Sequence, residues 1–269
     1  MAADETRGRD PEFLLELLWR TRAPGARGPR GSLSLDRVVA EGVRIADEEG
    51  IAGVSMRRIA QALGVTTMTL YRYVPGKDDL LDLMFDMALG MPDTADWPDC
   101  WRGALRSWAA GQRRVLLDRP WMLDIPVGAP PMGPHSLAWM EAALAALDPT
   151  ALDEGDMIGV LMVVGGFVLG DTRQELAMSS ASARTGVSYE EWAPAYGRML
   201  VRAMIDERYP TVAKLARSGV FETGAAPGDD FAGNLDFLLD SVAALIGRRE
   251  REAREAAASS PAGGEERRK

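Results

Sequence analysis

The segment Val54–Lys77, VSMRRIAQALGVTTMTLYRYVPGK, constrains the fold more than any other part of the chain. Ser55 stands where a helix N-cap accepts a backbone N–H from Arg57 or Arg58, and Ile59, Ala60 and Leu63 recur on one helical face. Gly64 falls where the chain needs a left-handed residue to leave that helix. Val65 seals the turn, and Thr66 or Thr67 caps a second, short helix that Leu70 and Val74 anchor from behind. This is a helix-turn-helix, a short helix presented on the side of a longer assembly.

The outer face of the second helix is left with Thr67, Met68, Thr69, Tyr71 and Arg72, with Thr66 at its start. Hydroxyls and a thioether at a helix N-terminus suit base edges and thymine methyls in a major groove, and Tyr71 and Arg72 suit phosphates. Lys77 opens the next helix, where its charge and free backbone N–H groups favour a phosphate oxygen; Arg57 and Arg58 also lie within reach of a DNA backbone. The net charge of −9 over 269 residues opposes a polyanionic partner only until it is mapped. Arg20 to Lys77 holds ten basic and five acidic residues, a net +5, which leaves −14 for the remainder. A basic module on an acidic body is the electrostatic footprint of a nucleic-acid-binding protein.

Around this motif the periodicity is helical, without strand-like alternation of useful length, so the expected fold class is all-α. A short helix opens at Pro11. Arg20–Gly31 (RTRAPGARGPRG) is a basic arm, either a solvated linker or a segment that enters a minor groove. Helices are expected at about 34–50, 55–64, 66–73 and 77–89, then at about 99–118, 135–147, 153–180, 188–206 and 229–257, with a Pro/Gly-rich loop at 125–134. The expected organisation is an N-terminal helix and arm (1–31), the helix-turn-helix domain (32–91), a helical body (92–258) and a disordered tail (259–269).

The single cysteine, Cys100, and single histidine, His135, exclude an internal disulfide and a multi-histidine metal centre within the chain. With carboxylates scattered on polar faces they assemble no catalytic cluster, so an enzyme is not expected. The N-terminus lacks a secretory signal pattern, and the apolar run Met157–Gly170 falls short of the ~20 residues that span a bilayer. A cytoplasmic location, no membrane partner and a buried core helix at that run are expected.

From Leu35 to Leu89 the chain resembles the DNA-binding domain of the tetracycline-repressor (TetR) family. The matching pieces are the Gly50–Gly53 link, the R-x-I-A-x-x-L-G-V core that starts at Arg57 and the T-L-Y-x-Y-V-x-x-K run from Thr69 to Lys77. The resemblance implies a three-helix helix-turn-helix domain joined by a fourth helix to a larger helical ligand-binding and dimerisation domain. It carries Arg57, Thr67, Met68, Thr69, Tyr71 and Lys77 over as DNA contacts. It implies a homodimer on a near-palindromic double-stranded operator and a small-molecule effector, acting more often as a repressor than as an activator. Asp153–Glu175 is similar, over a shorter span, to the ligand-domain helix of the tetracycline repressors themselves. Their metal-binding histidine aligns with Pro126, so no metal or other cofactor is implied, and His135 reads as a helix-start or surface residue.

Within the body, Gly159, Gly165, Gly166 and Gly170 lower helix propensity, which is tolerated where a backbone, a ligand or another helix approaches closely. Phe231, Leu235, Leu238, Leu239, Val242, Leu245 and Ile246 form a stripe suited to a four-helix dimer interface. Candidate ligand-binding residues are Trp101, Trp108, Gln112, Trp121, Trp139, Met140, Met162, Phe167 and Trp192, since tryptophan and methionine line adaptable cavities; ordinary core is the alternative for each. Gln112, His135 and Arg173 can orient a ligand. A ligand-independent regulator or partner-binding protein is the competing reading.

Overall fold

The computed structural model describes residues 11–21, 33–125, 132–187, 191, 195–199, 202, 209–218 and 231–259, and no strand occurs among them. The fold is all-α, in two compact units, Met1–Pro149 and Thr150–Lys269.

The first unit contains α1 (Pro11–Leu18), α2 (Leu35–Glu49), α3 (Met56–Leu63), α4 (Thr67–Tyr71), α5 (Lys77–Leu89), α6 (Trp101–Asp118) and α7 (Pro134–Leu147), with 3-10 turns at Ile51–Gly53 and Pro120–Asp124. Ser34 caps α2 by accepting from the Arg37 N–H at 3.2 Å. Val38, Val39, Ile45 and Ala46 then enter a core shared with Ile59, Leu70, Leu80, Leu83 and Met84, all nearly inaccessible to solvent. Gly42 permits the closest approach of α2 to α5, because a Cβ there would stand 2.7 Å from the Met84 sulfur. Helix α1 lays Leu14, Leu17 and Leu18 against α5. Helices α6 and α7 meet through Trp108, whose indole N–H donates to the Trp139 carbonyl at 2.8 Å.

The second unit contains α8 (Glu154–Thr185), α9 (Pro210–Arg217) and α10 (Phe231–Ser259). Asp153 caps α8 by accepting from the Asp156 N–H at 2.8 Å. Val160, Val164, Val168 and Thr172 recur every four residues as its buried stripe, and α10 supplies Phe231, Leu235, Leu239, Val242 and Ile246. Phe167 stacks on Phe231 with ring centroids 5.3 Å apart. Arg249 grips Asp156 through two hydrogen bonds, at 2.6 and 3.0 Å, and this pairing lowers the carboxyl pKa.

Several expectations change. The apolar run Met157–Gly170 is not a wholly buried core helix: Ile158, Met162, Val163 and Leu169 are exposed, because α10 covers one stripe only. By length and composition α8 is also long and apolar enough to cross a membrane. It continues to Thr185, five residues beyond the expected end, until Gly186 terminates it in the left-handed region at φ 70°. Helix α9 was not expected, since eight residues that begin at Pro210 carry too little periodicity to stand out. Of the helix expected at 188–206, residues 191, 195–199 and 202 are helical and the others lie outside the described residues. So do most of the basic arm, the loop 126–131, Trp192 and the tail beyond Ser259.

Candidate nucleic-acid interface

The geometry of the helix-turn-helix starts from its caps. The Ser55 hydroxyl accepts from the Arg58 N–H at 3.2 Å and fixes the first turn of α3. Gly64 ends α3 at φ 68°, where a β-carbon would be strained, and the Val65 N–H reaches back to the Ala60 carbonyl at 2.9 Å. The next hydroxyl, Thr66, accepts from the Thr69 N–H at 3.3 Å and lies 3.0 Å from the Thr69 hydroxyl. Thr66 and Thr69 therefore share their hydroxyls with each other, which orients both before any partner arrives.

Helix α4 is five residues long, too short to hold itself together, so tertiary contacts set its position. Leu70 and Val74 are fully buried behind it. The Tyr73 hydroxyl donates to the Leu33 carbonyl at 3.3 Å, tying the end of α4 to the entrance of α2. What faces outward is Met68, 72% exposed, and Tyr71, 46% exposed, with Thr66 and Arg72 exposed beside them and Thr67 and Thr69 half-buried.

The basic residues divide into two sets. Arg44 pairs with Glu41 and Glu48, each at 2.6 Å, and Arg58 pairs with Glu49 at 2.5 Å. These carboxylates raise both guanidinium pKa values further and hold the two side chains back along α2. Arg57, Arg72 and Lys77 are exposed and make no ion pair among the described residues. The uncommitted cations thus flank α4, while the committed ones brace α2 and α3. Arg58, within reach of a DNA backbone on sequence grounds, belongs to the braced set.

The candidate ligand residues differ in burial and in their partners. Trp108, Trp121 and Trp139 are buried and their indole N–H groups are taken: Trp108 donates to the Trp139 carbonyl, Trp139 to the Gly90 carbonyl at 2.9 Å, and Trp121 to Asp47 of α2 at 2.7 Å. Trp139 also contacts Trp97 and Trp108 edgewise, at centroid distances of 6.3 and 6.5 Å. Trp101 and Gln112 are half-buried on α6. Met140 lines a shallow open groove of about 400 Å³ together with Trp19, Pro134 and Leu144. In the second unit Phe167 is committed to Phe231, Met162 is 70% exposed and Arg173 points outward. Of the candidates described in the first unit, Met140 is the one that lines this groove.

Two acids missed by sequence reasoning organise this unit. Asp47 accepts from Trp121 and pairs with Arg119 at 3.3 Å, which joins α2 to the 3-10 turn at Pro120–Asp124. Asp86, on α5, receives His135 and Ser136 of α7. Asp86 was detectable in principle, because it interrupts the apolar face formed by Leu80, Leu83 and Met84.

Residues 38–84 match the profile of bacterial regulatory proteins of the tetR family, and residues 91–246 match the tetracyclin repressor-like C-terminal domain. The transcriptional repressor DrrR1 of Streptomyces coeruleorubidus is 38% identical over 237 residues, which cover 87% of this chain and 86% of the relative. ActR of Streptomyces coelicolor, solved with actinorhodin, superposes with a TM-score of 0.65 at 23% identity, over 82% of this chain and 99% of that one. A TetR from Acinetobacter baumannii solved with minocycline superposes at 0.59 and 21% identity, over 80% and 95% of the two chains.

Proposed function

The chain belongs to the TetR family of DNA-binding transcriptional regulators, which are not enzymes, and from that premise we propose that it is a cytoplasmic homodimeric repressor released from a near-palindromic operator by a small lipophilic molecule. The observation that carries this reading is the outward face of α4, with Met68 and Tyr71 exposed between the uncommitted cations Arg57, Arg72 and Lys77. Met68, Thr67 and Thr69 meet base edges and methyls in the major groove; Tyr71, Arg57, Arg72 and Lys77 meet phosphates, and Thr66 contributes as the cap that orients Thr69. Residues 32–91 form the reading domain and 92–258 the body, with the arm 1–31 before them and the tail 259–269 after.

One five-residue helix reads few base pairs, so a two-fold assembly is needed for specificity. The exposed face of α8, with Ile158, Met162, Val163 and Leu169 beside Gly159, Gly166 and Gly170, is where the second copy packs. A bilayer is the poorer cover, because Asp156 and Asp171 bracket the apolar run after only fourteen residues, 157–170.

Footprinting on DNA that flanks the coding region identifies the operator. Tyr71→Ala combined with Lys77→Ala then weakens binding at least about 100-fold while the sedimentation of the dimer is unchanged; normal binding by the double variant overturns the contact assignment. The fold shared with ActR and with the minocycline-bound TetR supports a lipophilic polycyclic effector. The internally committed Trp108, Trp121 and Trp139 favour the competing reading, a ligand-independent repressor. A thermal-shift measurement with actinorhodin and minocycline as probes, followed by release of operator DNA, separates the two.

A further inference from the structure

Asp86 is the only charged residue buried among the described residues, 5% exposed on the inner face of α5. A buried carboxylate is costly unless several donors surround it. Here they come from the start of α7. The Ser136 N–H and hydroxyl donate to one Asp86 oxygen at 2.9 and 2.8 Å, and the His135 N–H donates to the other at 3.3 Å. Helix α7 has no cap of its own, since its N-cap position is Gly133 and no side chain within the segment accepts there. Asp86 supplies that cap from 49 residues away, with its negative charge at the positive end of the helix. Gly133 is required by the arrangement, because a Cβ there would stand 2.1 Å from an Asp86 oxygen.

The contact is reciprocal. The His135 ring nitrogen Nδ1 lies 2.8 Å from the Asp86 carbonyl, near the end of α5, and this carbonyl also accepts the closing Gly90 N–H at 3.4 Å. Two more carbonyls there are held from outside, Ala88 by Arg119 at 3.2 Å and Gly90 by Trp139. Lys77 opens the same helix nine residues before Asp86, about 14 Å along its axis at the usual rise per residue. A small rotation at the Asp86 end therefore displaces the operator-facing end.

We propose that Asp86 is a positioning residue for operator recognition. By capping α7 from α5 it sets the attitude of the reading domain, and so the half-site spacing that the dimer accepts. Sliding α5 along α7 would leave a buried charge without donors, so the joint holds one arrangement or breaks. The inference rests on the dimeric operator reading above.

The test uses the full-length protein and duplexes that carry the footprinted half-sites at separations changed by one or two base pairs. Wild type prefers one separation over its neighbours by about tenfold or more. Asp86→Ala compresses that preference to within about threefold, while Asp86→Asn, which keeps an acceptor of the same shape, restores most of it. Should Asp86→Ala not fold, Ser136→Ala removes one donor, leaves the main-chain contacts and narrows the preference about two- to threefold. If either folded variant binds more weakly at every separation with its preference unchanged, Asp86 merely stabilises the fold and the proposal is overturned. A wild type indifferent to separation overturns the dimeric reading, and this one with it.

Discussion

Gly42 and Gly111 in the first unit and Gly159, Gly166 and Gly170 in α8 have opposite surroundings. Where a Cβ would stand at Gly42 or Gly111, the Met84 sulfur or the Trp139 ring is 2.7 Å away; at Gly159, Gly166 and Gly170 nothing lies within 4 Å. The helices that surround them differ in the same sense. Five of the thirteen residues of α5 are buried, but only four of the thirty-two in α8. At Gly42 and Gly111 the glycine answers a neighbour supplied by the same chain. In the second unit the small residues and the exposed Met162 and Val163 lie on a face that the chain leaves open, which is why a second copy is assigned there.

The largest expected effect breaks this contrast at its open side. Gly166→Arg has room in the isolated chain and raises helix propensity, so the fold persists. Dimer association, followed by sedimentation velocity, weakens by more than about 100-fold, since an unpaired charge would be buried between subunits; an unaltered dimer would show that this face is not the interface. Leu83→Ala addresses the closed side. Leu83 is 1% exposed, and the cavity left behind costs about 2–5 kcal/mol in a urea titration. The paired variants Gly111→Ala and Gly159→Ala sharpen the comparison with one chemical change. The first presses on a Trp139 ring held by its own hydrogen bond and costs about 1–3 kcal/mol, while the second stabilises the helix by about 0.5–1 kcal/mol. Equal effects at the two positions would erase the distinction.

The smallest effect concerns the ion pair within the second unit. Arg249 lowers the Asp156 pKa below its ordinary 3.8, so the pair stabilises the native state above that value and its contribution fades as pH falls through the lower, folded value. Thermal melts of wild type and Arg249→Ala therefore differ at neutral pH and converge in acid below about pH 4. A gap that persists in acid would assign the effect of Arg249 to packing of its aliphatic stem.

The reading motif was legible because its determinants are local. Ser55, Gly64 and Thr66 act within three or four residues of themselves, and Leu70 and Val74 follow a helical spacing that puts both on one face. The tryptophans were not legible in the same way. Whether Trp108, Trp121 and Trp139 line a cavity or close a core depends on where their N–H groups find acceptors, and those acceptors lie 31, 74 and 49 residues distant. Helix α9 escaped because eight residues hold barely two turns.

By itself, then, the sequence determined an all-helical chain with a basic reading head, since caps, periodicity and charge are short-range properties. Only the tertiary structure decided which arginines remain free for a partner, which glycines face a neighbour, and that a carboxylate on α5 completes α7. Each of those depends on atoms brought together from distant positions, where burial makes an unmet hydrogen bond or charge costly enough to fix the arrangement.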